Sequence, residues 1–257
     1  MRQIELTFQK NIRDLGGLVG YKGKKVKSGR LYRGGFLDRI TPEDAVVLES
    51  LGVTHVVDFR SQREFLNRPD YRLNMVSYFN FPPILEDMKK SHSKFADGNL
   101  LWFIDEGNGY EHMMKTYRSN VTSVEGIAAY RNFFKLLIDN PNGVFYFHCS
   151  QGKDRAGLAA FYIEQALGVS YEDSLEDYLL SNKAMKVRVE YLKEMVKDKP
   201  YYNEEYEKSL YDVFSAKKEF LDASIEEMIK MSGSVLNYIE QVLQVDINLF
   251  RQLYLDD

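Results

Sequence analysis

The sequence predicts an α/β fold with a central, largely parallel β-sheet, helices on both faces and extra helices at the C-terminal end. Two short apolar runs, residues 53–59 and 144–148, have the length and composition of buried strands, and each follows a segment with helical spacing. Strand and helix therefore alternate along the chain, which is typical of a parallel sheet. From residue 169 onward the spacing is helical. We expect one domain over residues 1–257, with residues 169–231 as a helical insertion.

The N-terminal part of the chain is predicted to supply strands and one helix. Residues 4–8 alternate apolar and polar side chains, and residues 30–35 form a second strand that ends in a Gly pair. Taken alone, these stretches are typical of two β-hairpin edges. Thr41-Pro42 followed by two acidic residues predicts a capped helix, which Gly52 would end.

Further elements are predicted from spacing and capping signals in the middle of the chain. They are a helix over 61–66, a strand over 71–79, helices over 110–119 and 122–138, and a helix over 156–167. A capping box of Thr122 and Glu125 would begin the helix over 122–138, and Gly168 would end the last one. Residues 84–110 are rich in charge and glycine, so we expect a long connection there.

The C-terminal part is predicted to be helical. Periodicity alone favours amphipathic support helices over residues 169–231. Two short helices are expected over residues 234–255, with a break near residues 244–246.

Composition and charge exclude several classes of protein. Hydrophobic residues make up 44% and aromatic residues 14% of the chain, which is enough for a core and argues against disorder. Lys and Arg number 34 against 38 Asp and Glu, so the net charge of −4 gives no global basic character for nucleic-acid binding. The single cysteine excludes an internal disulfide, and the four His residues show no zinc-ligand spacing.

Location is predicted from the same composition. No apolar run has the length of a membrane span, and the first thirty residues hold no apolar stretch typical of a signal peptide. A single cysteine suits a reducing compartment. We therefore expect a soluble, cytoplasmic protein, although export without a signal would leave no mark in the sequence.

The stretch 144–157 combines a strand, a polar turn and a helix around the only cysteine, Cys149. Five residues separate Cys149 from Arg155, and a turn of this length can direct its N–H groups inward as a nest for an anion. The N-terminus of the helix adds a positive dipole end, and the Arg155 guanidinium can bind two oxygens of a tetrahedral oxyanion. The same positive field favours a thiolate at Cys149, which would be a nucleophile aimed at a bound phosphoryl group.

A buried cysteine is the plainer explanation of Cys149 taken alone, because free cysteines commonly pack as small apolar side chains. The neighbouring residues argue against that explanation. His148, Lys153, Asp154 and Arg155 are poor choices for a core segment, because unpaired buried charges are costly. They suit an anion-binding turn.

A resemblance to the cysteine-dependent phosphatases is carried by the eight residues His148-Cys149-Ser150-Gln151-Gly152-Lys153-Asp154-Arg155. They are most similar to the atypical microbial tyrosine, dual-specificity and lipid phosphatases, whose loop reads His-Cys-x-x-Gly-Lys-Asp-Arg. Residues 11–17 (Asn-x-Arg-Asp-Leu-Gly-Gly) and 31–34 (Leu-Tyr-Arg-Gly) are similar to an N-terminal signature of the same family. The resemblance implies that this segment packs beside the loop, with Asp14 or Arg33 supporting it.

The resemblance also implies the reaction of that family. Cys149 would attack the phosphoryl group to form a phosphocysteine, which water then hydrolyses. The residues expected to bind phosphate, mainly through backbone N–H groups, are Ser150, Gln151, Gly152, Lys153, Asp154 and Arg155. His148 would hold Cys149 in place by hydrogen bonds. No metal or other cofactor is required, because Arg155 and the dipoles supply the positive charge.

Several carboxyl groups could protonate the leaving group. Asp154 is the first candidate, because it directly precedes Arg155 and because the arrangement resembles that of phosphoinositide phosphatases with Asp in this place. Asp58, at the carboxyl end of a predicted strand, is the second; a structural role is its alternative, since strand-end aspartates often cap the next turn. No motif marks the remaining acidic residues of the long connection, which include Asp87, Asp97 and Asp105.

Four features leave alternatives open. Lys153 either adds charge for an acidic lipid headgroup or lies on a solvated rim. Tyr117 and Arg118 either face substrate or lie on a surface helix. Ala156 stands where many cysteine phosphatases have a hydroxyl that helps the thiolate leave. Either turnover of the phosphocysteine is slow or another group serves, and we predict a burst with a slow steady state. In some relatives a helical pair in the region of residues 169–231 covers the active site as a lid.

The function predicted is hydrolysis of phosphotyrosine monoesters, with phosphoserine, phosphothreonine and phosphoinositides as further candidate substrates. The expected partners are a phosphorylated protein or a phosphoinositide, with a phosphate ion in the loop. A rhodanese-like sulfurtransferase is one alternative, and the Gly-Lys-Asp-Arg sequence argues against it. A non-catalytic phosphate-binding protein is another, and intact Cys149 and Arg155 argue against it.

Overall fold

The computed structural model describes residues 3–9, 11–84, 108–200 and 202–256. Six strands form one sheet: β1 (Gln3–Ile4), β2 (Ile12–Asp14), β3 (Leu31–Gly35), β4 (His55–Asp58), β5 (Ser77–Asn80) and β6 (Phe145–Cys149). Their order across the sheet is β1-β2-β3-β6-β4-β5. Pairing is antiparallel at β1-β2 and β2-β3 and parallel at the other three junctions, so the predicted α/β fold with a largely parallel sheet is confirmed.

Helices surround the sheet. They are α1 (Pro42–Ser50), α2 (Gln62–Asn67), α3 (Gly109–Thr122), α4 (Val124–Asp139), α5 (Arg155–Ala166), α6 (Tyr171–Val196), α7 (Glu204–Phe214), α8 (Lys218–Ser232) and α9 (Ile247–Tyr254). A short helical turn, Val235–Asn237, and a π-helical turn, Tyr238–Val242, connect α8 to α9. The predicted break near residues 244–246 is confirmed, and Gln244 has a φ of +60° there. None of the helices in the described ranges combines the length and the apolar character that crossing a membrane requires.

Strand β6 is central, and its side chains alternate between two hydrophobic cores. Phe145 and Phe147 pack in the larger core with helices α3 to α9, whereas Tyr146 packs in the smaller core with α1. Val57 and Val56 of β4 divide in the same way. Helices therefore cover both faces, and the parallel pairing of β3, β6 and β4 brings three carboxyl ends to one edge of the sheet.

Helix boundaries follow most of the capping signals. Thr41 begins α1 in a capping box with Asp44, and Gly52 follows the helix with a φ of +75°. The predicted capping box at Thr122 is wrong, because Thr122 ends α3. Ser123 begins α4 instead, with its hydroxyl accepting from the Gly126 N–H.

Two predicted strands are shorter than the spacing suggests. The first ends at Ile4, since the Thr7 N–H donates to the Asp44 side chain of α1 at 2.8 Å rather than to a strand. The strand predicted over residues 71–79 begins only at Ser77, because Met75 has a φ of +58° and turns the chain before it.

Candidate active site

The candidate nucleophile lies at the carboxyl edge of the sheet. Cys149 is the last residue of β6 and is 2% exposed. A five-residue turn follows, and α5 begins at Arg155 with Asp154 as its N-cap. The N-terminus of α5, which is the positive end of its dipole, therefore lies at the end of the turn that follows Cys149.

Four consecutive carbonyl groups of this turn are bound from outside it. The donors are the Phe36 N–H (3.4 Å, to Ser150), Asn11 Nδ2 (2.9 Å, to Gln151) and Arg33 Nη2 (2.9 Å to Gly152, 3.3 Å to Lys153). A trans peptide N–H points away from the carbonyl of the same unit, so the N–H groups of residues 151–154 face the opposite side. The turn therefore has the geometry of an anion-binding nest.

Gly152 is required by this geometry for two reasons. Its φ is +70°, a region that favours glycine. A Cβ at this position would also lie 2.3 Å from the carbonyl carbon and oxygen of Gly34 in β3. Any side chain at residue 152 would therefore push the turn away from the strand that holds it.

Arg33 is itself fixed by a buried aspartate of α6. Its Nη1 contacts Asp177 Oδ2, and Arg13 Nε lies 2.7 Å from Asp177 Oδ1. Burial tends to raise the pKa of Asp177, but the two guanidinium groups outweigh it and lower that pKa. The prediction that Arg33 supports the loop is confirmed, whereas Asp14 accepts bonds from the backbone N–H groups of Gly16 and Gly29, in two other turns.

Arg155 is oriented by Glu64 of α2. Nη1 of Arg155 lies 2.6 Å from Oε2 and Nη2 lies 3.0 Å from Oε1, which makes a bidentate pair. The Ser150 hydroxyl donates to the same Oε1, and the Phe59 carbonyl accepts from Nη1 at 3.2 Å. Burial opposes ionisation of both partners, but their mutual attraction lowers the pKa of Glu64 to well below its usual range and raises that of Arg155.

A second buried cluster surrounds His148, which precedes the nucleophile in β6. Nε2 of His148 is 3.0 Å from Asp70 Oδ2, and Nδ1 is 3.3 Å from the Cys149 carbonyl oxygen. Arg60 Nη2 reaches both Asp58 Oδ2, at 2.7 Å, and Asp70 Oδ1, at 3.0 Å. Burial tends to lower the pKa of His148, but the two carboxylates raise it. Although burial acts against ionisation of Asp70 too, the His148 contact lowers its pKa to about 2.

This cluster fits an ion-pair network better than a metal site. Oxygens of Asp58 and Asp70 and a nitrogen of His148 lie within 4.8 Å of one another, as metal ligands could. The Arg60 guanidinium already binds both carboxylates and supplies the cation. Asp58 also accepts the Arg60 N–H at 2.8 Å, which is the turn-capping arrangement of its structural alternative.

Asp154 has different surroundings. Its side chain is 24% exposed and makes no bond to the helix that it begins. Oδ1 accepts from the Tyr117 hydroxyl at 2.6 Å and lies 2.9 Å from Lys153 Nζ. The surface-helix alternative is wrong for Tyr117, which is fully buried, whereas Arg118 is 41% exposed and lies near two glutamates of α8.

Lys153 is not on a solvated rim. The residue is 1% exposed, and its ammonium group donates to the carbonyl oxygens of Val213, at 2.8 Å, and Ser215, at 3.0 Å. These carbonyls lie at the C-terminal end of α7, where the helix dipole favours a cation. Lys153 therefore connects the loop to α7, which lies in the region predicted as a helical insertion.

Comparison with known proteins gives the family of the chain. The model of a family described as "Tyrosine phosphatase family" matches residues 4–256. The chain belongs to this family. A Cupriavidus necator protein named "Putative tyrosine-protein phosphatase" is 30% identical over 247 residues, which cover 95% of this chain and 85% of that protein. The "Triple specificity protein phosphatase PtpB" of Mycobacterium tuberculosis is 24% identical over an alignment of 277 positions that covers 98% of each chain.

Family membership confirms the resemblance inferred from the loop and the N-terminal signature. Several supporting residues were nevertheless missed by sequence reasoning, namely Glu64, Asp70 and Asp177. Only Glu64 left a local signal, since Ser61 and Glu64 form a capping box at the start of α2. The three remaining acid candidates, Asp87, Asp97 and Asp105, lie outside the described residues.

Proposed function

We propose that the protein is a phosphatase that hydrolyses phosphotyrosine monoesters through a phosphocysteine intermediate on Cys149. The observation that carries the proposal is the turn in which four carbonyls are bound from outside, so that the N–H groups of residues 151–154 face the other way. These donors and Arg155 match the equatorial oxygens of a phosphoryl group. Family membership supports the same reaction.

In the first step the Cys149 thiolate attacks phosphorus. The P–O bond to the leaving group breaks as the S–P bond forms, and the leaving oxygen takes a proton from Asp154. The N–H groups of the turn and the guanidinium of Arg155 stabilise the charge on the three phosphoryl oxygens. Glu64 orients the Arg155 guanidinium through its bidentate contact.

In the second step water attacks the phosphocysteine. The Asp154 carboxylate accepts a proton from that water, the S–P bond breaks, and inorganic phosphate leaves with the thiolate restored. The positive charge needed at both steps comes from Arg155 and the backbone dipoles, so neither a metal nor another cofactor takes part.

The other candidate residues receive supporting roles. His148 holds the Cys149 backbone, and Asp58 neutralises Arg60 beside it. Lys153 contributes its backbone N–H to the nest, while its ammonium group anchors the turn. Asp154 remains the proposed acid because its surroundings leave it partly exposed, at 24% of its side chain.

Substrate range is the finer part of the proposal. Phosphotyrosine proteins come first, and phosphoserine, phosphothreonine and phosphoinositide substrates follow, since one relative is named a triple specificity phosphatase. The lone cysteine suits action in a reducing compartment such as the cytoplasm. A lid formed within residues 169–231 would restrict substrates by covering the site.

The test is a substrate panel with the wild type and Cys149→Ser. Phosphotyrosine peptides, phosphoserine peptides and phosphoinositides are each assayed for phosphate release, and acid-quenched enzyme is examined for a phosphoryl group on the peptide that contains Cys149. Phosphate release that Cys149→Ser abolishes supports the proposal. Thiocyanate made from thiosulfate would favour the sulfurtransferase, and phosphate binding without turnover would favour a non-catalytic reader.

A further inference from the structure

Tyr117 makes a contact that the proposed reaction has not used. The residue lies in α3, is fully buried, and its hydroxyl donates to Asp154 Oδ1 at 2.6 Å. The ammonium group of Lys153 lies 2.9 Å from the same oxygen. Within the part of the chain that the structure describes, no residue is found bonded to Oδ2. The carboxyl group of Asp154 is therefore held by one oxygen only.

The hydrogen bonds around Tyr117 have a fixed direction. A phenol carries a single hydrogen, and that of Tyr117 goes to Asp154. The Tyr178 hydroxyl, 2.7 Å away, must then donate to Tyr117. The backbone N–H of Lys217 interacts with the Tyr178 hydroxyl oxygen. Burial raises the pKa of both tyrosines, so neither ionises near neutral pH and the chain keeps its direction.

This arrangement decides which oxygen of Asp154 can carry a proton. Oδ1 already faces two donors, so an added proton would lie on Oδ2. An N-cap aspartate ordinarily turns its side chain back onto the N–H groups of its own helix. Asp154 makes no such bond, and the contact with Tyr117 holds its side chain elsewhere.

We propose that Tyr117 is a positioning residue for general acid catalysis, which holds Asp154 by Oδ1 so that Oδ2 delivers the proton to the leaving oxygen. The proposal rests on the proposed phosphatase function and extends it to the group that orients the acid. Tyr178 acts through Tyr117 by fixing the direction of its hydrogen. Lys153 shares the task, since its ammonium group holds the same oxygen of Asp154.

A purely structural role is the alternative. The hydroxyl groups of Tyr117 and Tyr178 connect α3, α6 and the start of α8, and buried hydroxyls need partners wherever they occur. Loss of such a contact would lower stability or lower every rate equally. A positioning role predicts instead that the loss depends on how much the leaving group needs a proton.

The experiment compares the wild type and Tyr117→Phe on two aryl phosphates. The nitrophenolate that leaves from p-nitrophenyl phosphate needs little protonation, whereas the phenolate that leaves from phenyl phosphate needs much more. We expect Tyr117→Phe to lose about tenfold in kcat/KM on phenyl phosphate, as for one hydrogen bond to a charged group, and less than threefold or so on p-nitrophenyl phosphate. The same substitution in an Asp154→Asn background should have no further effect on phenyl phosphate, because the acid is already absent.

Tyr238→Phe is the matched control. The Tyr238 hydroxyl is also buried and also bonds α3, through the Val121 carbonyl at 2.6 Å, but it does not touch Asp154. The kcat/KM of Tyr238→Phe should equal that of the wild type on both substrates. Thermal unfolding of each variant reports whether it is folded. If Tyr117→Phe does not fold, Tyr178→Phe replaces it in the test, and we expect a smaller loss of kcat/KM on phenyl phosphate.

Equal losses on the two phosphates, or an additive loss in the Asp154→Asn background, would overturn the proposal and leave Tyr117 structural. A wild type that releases no phosphate from either compound would instead refute the phosphatase function itself. The two failures are therefore distinguishable in one set of assays.

Discussion

Asp58 and Asp154 both lie at the carboxyl edge of the sheet, one at the end of β4 and the other after β6, and their surroundings differ. Both oxygens of Asp58 accept bonds from Arg60, at 2.7 to 3.0 Å. Asp154 is held at Oδ1, and its side chain remains 24% exposed. A carboxylate bound on both oxygens has no oxygen free to take up a proton, whereas one held by a single oxygen has.

The comparison separates two ways in which a buried charge serves an enzyme. In the cluster of Asp58, Arg60, Asp70 and His148, both carboxylates contact basic groups of the same cluster. We therefore expect this cluster to act on stability and on the placement of Cys149. In the cluster of Asp154, Lys153 and Tyr117, Asp154 is partly exposed, at 24% of its side chain, so we expect this cluster to act on rate. Substitution of one acid in each cluster, Asp154 or Asp58, tests this distinction.

The largest effect is expected for Asp154→Asn. The variant keeps the shape of the side chain but cannot donate the proton, so kcat/KM on phenyl phosphate should fall by about 10²- to 10⁴-fold, with a smaller loss on p-nitrophenyl phosphate. The pH–rate profile should lose the limb on which the general acid loses its proton. Retention of both the rate and that limb would place the acid elsewhere.

The second largest effect is expected for Asp58→Asn, and on stability rather than on rate. Loss of one charge from a buried pair leaves Arg60 partly uncompensated and should lower the free energy of unfolding by about 3 kcal/mol. Urea denaturation measures this loss. Activity per folded molecule should stay within a few-fold of the wild type, and a loss like that of Asp154→Asn would make Asp58 the acid.

A third effect is the pH dependence of stability due to Asp70. Its folded pKa of about 2 lies below the ordinary value of 3.8, so its contribution is present above pH 3.8 and is lost as pH falls through about 2. The shift corresponds to about 2 kcal/mol of stabilisation. The raised pKa of His148 arises from the same contact, so it represents no further stabilisation. Asp70→Asn should therefore be less stable than the wild type near neutral pH, with the difference shrinking towards pH 2. Asp139→Asn, which removes an exposed pair with Lys135, should change little at any pH.

A smaller effect is expected for Glu64→Gln. Glutamine can still accept the Ser61 N–H bond that caps α2, but it loses the charged bidentate contact with Arg155. We expect kcat/KM on p-nitrophenyl phosphate to fall by about tenfold, in line with one charged hydrogen bond. Ser61→Ala is the control, because it breaks the cap and leaves the Arg155 contact; an equal loss in both variants would mean that Glu64 acts through α2 alone.

The smallest effect is expected for Ala156→Ser. Ala156 is fully buried and offers no hydroxyl beside the loop that could help the thiolate leave. The wild type should therefore show a burst and a slower steady state, and the added hydroxyl should raise the steady rate by roughly a few-fold while reducing the burst. Stopped-flow release of p-nitrophenol measures both phases. A linear time course for the wild type from the first turnover would contradict the prediction.

Local signals made much of the fold predictable. Thr41-Pro42 and Gly52 mark both ends of α1 through capping chemistry that involves only neighbouring residues. The eight residues of the loop likewise lie together in sequence, so the strand, the turn and the start of α5 were all visible. Strand length was less predictable, since the Thr7 N–H bonds a helix 37 positions away instead of a neighbouring strand.

Contacts between distant residues were not predictable from one sequence. Glu64 meets Arg155 across 91 positions, and Tyr117 meets Asp154 across 37. Neither spacing produces a periodic pattern, because both contacts depend on where α2 and α3 lie relative to the turn. Glu64 also caps α2 together with Ser61, and this local signal gives no sign of its second contact, with Arg155.

The outward hydrogen bonds of the turn have a consequence for the design of inhibitors. Because the donors of residues 151–154 are oriented by the folded protein, little ordering entropy remains to be lost when an oxyanion binds. Such a preformed set of donors distinguishes ligands by their charge and radius, so vanadate and arsenate are expected to compete with phosphate. A selective compound must therefore gain its selectivity from surfaces outside the turn.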